Sequence, residues 1–282
     1  MRAFPLLPLP VALLTLIGCA KSEKPAEQAA PPPAPPAPPT VHVTATDYAF
    51  EAPDTLTAGQ TSFHLMNHGK ELHHLVLLRL APGQTVADLQ KMNPDAGPPP
   101  NVVMIGGPNP AVPDGSAEAT VDLKAGQYAM ICVIPSSVDG KVHMLKGMMR
   151  GLTVVEGAST AVAPTPDITI KLSDYAFDPS TPLTAGHHVI RVENAGPQPH
   201  EMVLVKLDAG KTMADFAKWA EKLQGPPPGQ PLGGASPMSS GESNTVTVDL
   251  SPGEYGFICF VGDAKDGKPH LAHGMVKQVT VM

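Results

Sequence analysis

The chain carries one long sequence twice. His73, Cys132, His143 and Met148 recur 127 positions later as His200, Cys259, His270 and Met275. The same displacement carries Asp47-Tyr48-Ala49-Phe50 onto Asp174-Tyr175-Ala176-Phe177, and Leu56-Thr57-Ala58-Gly59 onto Leu183-Thr184-Ala185-Gly186. The register slips at Gly97-Pro98-Pro99-Pro100 and Gly225-Pro226-Pro227-Pro228, which lie 128 apart, and is restored at Gly106-Gly107 and Gly233-Gly234. Length changes of that kind are tolerated in loops. Solenoid units repeat every ~20–50 residues, so a period of 127 marks a duplicated domain.

The start of the chain reads as a targeting segment. Met1-Arg2 is basic, and Leu6 to Ile17 is an apolar stretch broken by Pro8 and Pro10. It is shorter than the roughly 20 residues of a membrane-spanning helix and fits a signal sequence. Leu16-Ile17-Gly18-Cys19 resembles the lipobox of bacterial lipoproteins. That resemblance implies cleavage before Cys19, acylation of its thiol and, with Ala20 following, an outer-membrane destination. The alternative is an ordinary cleaved signal with Cys19 incidental. Residues 1–18 are thus assigned to a signal peptide and 19–40 to a lipidated, Pro-rich linker. Its run from Pro31 to Pro39 suits a semi-rigid polyproline II spacer.

Two domains of ordinary size follow, 41–156 and 167–282, joined by 157–166. That short connection suggests close neighbours. The net charge of −7 is modest and the basic residues are dispersed, which argues against nucleic acid as a partner. With Cys19 set aside, one cysteine remains in each domain, so no disulfide can form within either. A free thiol in an oxidising compartment needs an occupant. The candidates are a Cys132–Cys259 bridge or a metal.

Both repeats read as β. Val41–Ala45 and Ile168–Leu172 alternate as strands do, and so do Thr61–Met66 and His188–Val192. Leu75–Leu78 and Met202–Val205 are short apolar runs suited to strands buried on both faces. Gly126–Cys132 and Gly253–Cys259 are strands ending at the cysteine. One helical insertion is expected per repeat, capped by Thr85 and Thr212. The Pro/Gly-rich segments 96–115 and 225–241 read as surface loops. His42, His64, His68, His187 and His188 lack a histidine partner in the other copy and read as surface residues. Some seven short strands per repeat suggest a Greek-key sandwich.

The recurring donors specify a chemistry. One thiolate, two imidazoles and a weak thioether form the ligand set of a blue-copper centre. The register selects His73 over His74, whose counterpart is Glu201, and Met148 over Met149. It also ranks His273, whose counterpart is Lys146, below His270. An Asn-x-Gly turn (Asn67-His68-Gly69, Asn194-Ala195-Gly196) precedes the first His. A Gly-x-Tyr strand then ends in Cys, and His and Met follow. This pattern resembles the cupredoxins, plastocyanin and azurin among them, over essentially all of 41–282. The resemblance implies two tandem Greek-key β-sandwiches, one copper in each, and a redox protein or copper donor or acceptor as partner. Val133, Ile134, Phe257 and Phe260 are candidates for an apolar shell. One feature departs from the small blue proteins: ten residues separate Cys132 from His143, and ten separate Cys259 from His270. That loop either folds out and returns, or displaces the histidine.

Two-domain members of the family include enzymes. Multicopper oxidases use His-x-His pairs and a His-Cys-His run, and nitrite reductases place His beside the Cys. This chain has no His-x-His pair, and its cysteines stand in Ile131-Cys132-Val133 and Ile258-Cys259-Phe260. The expectation is therefore a non-enzyme, a lipid-anchored electron carrier facing the periplasm or cell surface. Copper storage or delivery and a metal-free scaffold are the alternatives.

Overall fold

The computed structural model describes residues 36–91, 101–157, 159–221 and 225–282. Cys19, the signal-like start and most of the Pro-rich linker lie outside them. The described residues form one compact unit, Pro35–Met282.

The first repeat supplies strands β1 (Thr40–Thr46), β2 (Ala49–Glu51), β3 (Thr55–Thr57), β4 (Gly59–Asn67) and β5 (Val76–Arg79). Helix α1 (Val86–Gln90) precedes β6 (Val103–Gly106), β7 (Ser116–Leu123), β8 (Gly126–Ile131) and β9 (Met149–Val155). The second repeat supplies β10 (Ile168–Ser173), β11 (Ala176–Pro179), β12 (Gly186–Asn194) and β13 (His200–Leu207). Helix α2 (Met213–Ala220), β14 (Gly229–Met238), β15 (Ser243–Leu250), β16 (Gly253–Ile258) and β17 (Val276–Val281) complete it.

These strands build two sheets that run through both repeats. One has the order β11-β10-β12-β15-β7-β4-β1-β2, the other β17-β16-β13-β14-β6-β5-β8-β9-β3. Read outward from the middle, the order is the same in each repeat except that β3 adds an edge strand to the first. At the middle, equivalent strands meet antiparallel: β7 pairs with β15 through Thr120 and Thr245, and β6 with β14 through Ile105 and Met238. Antiparallel pairing of equivalents is what a two-fold axis produces. The halves are therefore related by a pseudo-two-fold and share both sheets.

The sequence pattern explains the layers. In β1, Val41, Val43 and Ala45 point inward and alternate with more exposed residues. Phe63, Leu65, Leu77 and Tyr128 join them in the first core, and Ile170, Ile190, Leu204 and Tyr255 fill the second. The apolar runs in β5 and β13 need cover on both faces, and the helical insertions supply it. Leu89 of α1 packs with Val76 and Leu78, while Met213 and Phe216 of α2 pack with Val203 and Val205. Both helices begin at the expected threonines: Asp88 accepts from the Thr85 N–H at 3.0 Å, and Asp215 from the Thr212 N–H at 2.9 Å.

Two expectations fail. Segments 96–115 and 225–241 are not surface loops throughout: they contain β6 and β14, and residues 105–111 and 233–238 are buried at the junction of the halves. Glycine there permits close approach of backbone to backbone. Gly107 and Gly234 have φ of +140° and +136°, and a side chain on either would strike the carbonyl of Leu75 or Met202. His188 is also not a surface residue. It is buried, its Nδ1 lies 2.5 Å from Asp167 Oδ2, and its Nε2 is 2.8 Å from the Thr184 carbonyl.

Candidate metal centres

The expected histidine and cysteine donors of each repeat converge at one end of its sandwich. His73 follows the turn after β4, Cys132 follows β8, and His143 opens a 3₁₀ turn, His143–Lys146, leading to Met148 before β9. The ligating atoms of His73, Cys132 and His143 all lie within 4.8 Å of one another, as do those of His200, Cys259 and His270. His73 Nδ1 is 3.1 Å from His143 Nδ1, which is 3.4 Å from Cys132 Sγ. The second set repeats this geometry, with 3.0 Å between His200 Nδ1 and His270 Nδ1 and 3.5 Å from His270 Nδ1 to Cys259 Sγ. Met148 and Met275 are buried, and their backbones are tied to the same residues. Met148 N–H donates to the His143 carbonyl at 3.0 Å, and its own carbonyl accepts from Cys132 N–H at 3.3 Å. All eight donor side chains are fully buried, and both cysteines are free thiols.

The long loop between Cys and His folds out and returns. Pro135 bridges Val142, and the excursion closes through Ser136 N–H to the Lys141 carbonyl at 2.9 Å. Below it, His143 N–H donates to the Ile134 carbonyl (3.0 Å) and Met144 N–H to the Cys132 carbonyl (2.8 Å). Gly262–Pro269, Asp263–Lys268, His270–Val261 and Leu271–Cys259 make the matching contacts in the second copy. The excursion thus leaves Cys132 Sγ 3.4 Å from His143 Nδ1 and Cys259 Sγ 3.5 Å from His270 Nδ1.

The outer nitrogens explain the inner ones. His73 Nε2 lies 2.8 Å from Asp47 Oδ1, His200 Nε2 lies 2.9 Å from Asp174 Oδ1, and His143 Nε2 lies 3.0 Å from Glu71 Oε2. Burial holds all four histidines below their ordinary pKa despite these carboxylates, so the rings are neutral. A neutral ring that donates from Nε2 carries a bare lone pair on Nδ1. In the first site two such lone pairs face each other at 3.1 Å beside a sulfur. Lone pairs converging at that separation repel unless a cation lies between them. Burial pushes the Cys132 thiol up to about 12 and that of Cys259 higher still. Each therefore stays protonated until a metal displaces the proton. Thiolate, imidazole and thioether are the donors copper prefers, and the geometry fits one copper per half.

Around this the residues are arranged in layers. Asn67 accepts from Gly69 N–H (2.8 Å) and donates to the Glu71 carbonyl (2.7 Å), which fixes the turn before His73. Asn194 does the same with Gly196 N–H (3.0 Å) and the Gln198 carbonyl (2.8 Å). A Cβ on Gly69 would stand 2.7 Å from His73 Nε2, and one on Gly196 2.8 Å from His200 Nε2. Glycine is needed there so that aspartate can reach imidazole. Burial alone would raise the Glu71 pKa, but hydrogen bonds from Ser137, Tyr48 and Ser136 hold it at about 2. The copies diverge here. Gln198 stands in place of Glu71 and Asp263 in place of Ser136. Asp263 Oδ2 is 3.8 Å from His270 Nε2, too far for a hydrogen bond, and that buried nitrogen has no hydrogen-bond partner among the described residues.

Of the apolar residues named from the sequence, Ile134 packs with the first core and Phe257 lies in the second, while Val133 belongs to the outer cluster under α1 and Phe260 is 37% exposed. His74 is buried but outside the donor cluster, and His273 is half-exposed against Asp266 at 3.2 Å. Asp47, Asp174 and Glu71 form a second layer behind the imidazoles that the donor pattern alone does not reveal. The recurrence of Asp47-Tyr48-Ala49-Phe50 at 174–177 was the available signal.

Each half is a two-sheet β-sandwich carrying one His/Cys/His cluster. Solved structures similar to the chain include a dithionite-reduced auracyanin from the photosynthetic bacterium Roseiflexus castenholzii, at 20% identity and a TM-score of 0.29, covering 43% of this chain and 99% of that one. A blue copper oxidase from Nitrosomonas europaea is similar at 14% identity and a TM-score of 0.25, covering 86% of this chain and 85% of that one. A copper-containing nitrite reductase from Thermus scotoductus shares 12% identity at a TM-score of 0.25, covering 86% of this chain and 61% of that one. No family model and no curated protein matches the sequence.

Proposed function

We propose that this chain binds two copper ions, one in each half, and carries electrons one at a time. The observation that carries the reading is the convergence of His73, Cys132 and His143, repeated at His200, Cys259 and His270, with bare Nδ1 atoms facing each other in the first site. A copper held by this set supplies one-electron redox between Cu(I) and Cu(II). The protein's part is rigidity. Asp47 and Asp174 lock the first imidazoles, the paired backbone contacts lock the second, and full burial excludes water from all of them. A site that moves little between oxidation states exchanges electrons quickly. A buried, preformed site also favours electron transfer over storage or delivery, where metal must pass out to an acceptor.

The same reading makes the protein a carrier rather than an oxidase or reductase, as the absence of a His-x-His pair from the sequence supports. Oxygen uptake or nitrite reduction by the copper-loaded protein would contradict it. It also makes the protein an exported lipoprotein held by Cys19, with the Pro-rich segment as spacer and a redox protein as partner. Among the described residues no helix is long and apolar enough to cross a membrane. Labelled fatty acid should enter the wild-type chain in cells and not Cys19→Ser; equal labelling would exclude the anchor.

The electron-transfer reading is tested by loading the purified chain with Cu(II) and recording its visible spectrum and voltammogram. An intense thiolate-to-copper band that bleaches and returns reversibly is expected. A colourless, redox-silent copper complex would refute it, and rapid copper loss to a competing Cu(I) chelator would favour delivery.

A further inference from the structure

The residue after each first imidazole is buried too: His74 is 3% exposed and Glu201 4%. They occupy equivalent positions but differ in kind. Each holds the peptide that follows its own half's cysteine. Val133 N–H donates to His74 Nε2 at 3.0 Å, and Phe260 N–H to Glu201 Oε1 at 2.9 Å. Asn109, 1% exposed, lies between them. His74 Nδ1 donates to Asn109 Oδ1 at 3.0 Å, and Asn109 Nδ2 donates to Glu201 Oε2 at 2.8 Å. Every direction is determined. His74 accepts at Nε2, so its proton is on Nδ1, and the asparagine must then turn its oxygen to the imidazole and its nitrogen to the carboxylate.

We propose that the His74–Asn109–Glu201 bridge is the path by which an electron passes between the two copper centres. The proposal rests on the copper reading above. Four hydrogen bonds of 2.8–3.0 Å and short covalent segments join the peptide bonded to Cys132 with the peptide bonded to Cys259. The chain therefore begins and ends on the peptides that follow the two cysteines, a few covalent bonds from the sulfurs that would bind copper. Tunnelling decays less steeply through covalent and hydrogen bonds than across van der Waals gaps. Apolar side chains would join the halves without the desolvation that a buried imidazole, amide and carboxylate require. Other polar contacts at the junction, such as Ser236 Oγ–H to the Leu75 carbonyl at 2.8 Å, do not end on a cysteine peptide. In the step, one centre loses an electron and is oxidised, the other gains it and is reduced, and no bond or proton moves.

The test uses the full copper-loaded chain with Met275→Gln, which shifts the second centre's band so that the two are read separately. A radiolytic pulse delivers less than one electron per molecule, and redistribution between the centres is followed at several protein concentrations. A phase whose rate is independent of concentration is expected. Asn109→Leu, similar in volume but unable to hydrogen-bond, loses that phase while both bands persist; Ser236→Ala retains it. Persistence of the phase in Asn109→Leu overturns the proposal. A measurement without any substitution at the bridge guards against a variant that does not fold. In the fully reduced, diamagnetic protein, nitrogen NMR should show His74 protonated at Nδ1 and bare at Nε2, and the opposite tautomer breaks the path. Both bands without a concentration-independent phase overturn the path alone, whereas absence of the bands overturns the copper reading and the path together.

Discussion

The two copies part at the carboxylate behind the second imidazole, which is Glu71 in the first and Asp263 in the second. Glu71 Oε2 accepts from His143 Nε2 at 3.0 Å, while His270 Nε2 faces Asp263 at 3.8 Å without a hydrogen bond. Outer carboxylates make a ligating imidazole a better donor. The first site is therefore expected to bind Cu(II) more tightly. Glu71→Gln should weaken the first site about 10–100-fold and leave the second unchanged, as read by copper titration of each site's band. Gly69→Ala should weaken the same site, because its Cβ would stand 2.7 Å from His73 Nε2 and push Asp47 away. Protonation gives a third expectation. The Cys132 thiol is pushed up to about 12, and the histidines, lowered from 6.5, are already neutral above that value. Copper must then expel one thiol proton per site, so apparent affinity rises about tenfold per pH unit between neutrality and the thiol pKa. Calorimetry in buffers of different ionisation enthalpy counts that proton. The convergence of His73, Cys132 and His143, and of His200, Cys259 and His270, was legible in the sequence because duplication preserved those residues in register. The layer behind them was less so: the downstream carboxylate sits on different residues in the two copies, and no register aligns Glu71 with Asp263.

At the scale of elements, the strands that follow ordinary alternation were readable, and β6 and β14 were not. Proline and glycine density in 96–115 and 225–241 signals loops. Here the same glycines let β6 and β14 lie against β5 and β13, and burial comes from the opposite half of the molecule. A residue pattern within one strand carries no mark of such a partner. Gly234→Ala tests this: with φ at +136° and the Met202 carbonyl against its face, the substitution should cost about 1–3 kcal/mol in denaturant unfolding. A loss near zero would mean the junction is looser than described. His188 failed for a related reason. Its lack of a histidine counterpart suggested a surface residue, but Asp167, 21 positions earlier, meets it and gives it a buried role.

The whole molecule is one continuous pair of sheets rather than two sandwiches on a tether, since equivalent strands pair across the middle at β7–β15 and β6–β14. Duplication was plain from the register. The way the halves join was not, because it depends on single pairings, Thr120 with Thr245 and Ile105 with Met238, that fall at unequal places in the repeat. Shared sheets hold the two donor clusters in a fixed relation while each keeps its own core. Loading should therefore be independent in stoichiometry and joint in stability. Copper titration of the full chain and of Cys132→Ser and Cys259→Ser measures this directly. Two coppers per wild-type chain are expected, with one copper and about half the thiolate band remaining in each variant. A wild-type chain that binds no copper, or a cysteine variant that keeps both coppers and the full band, would contradict the duplicated site.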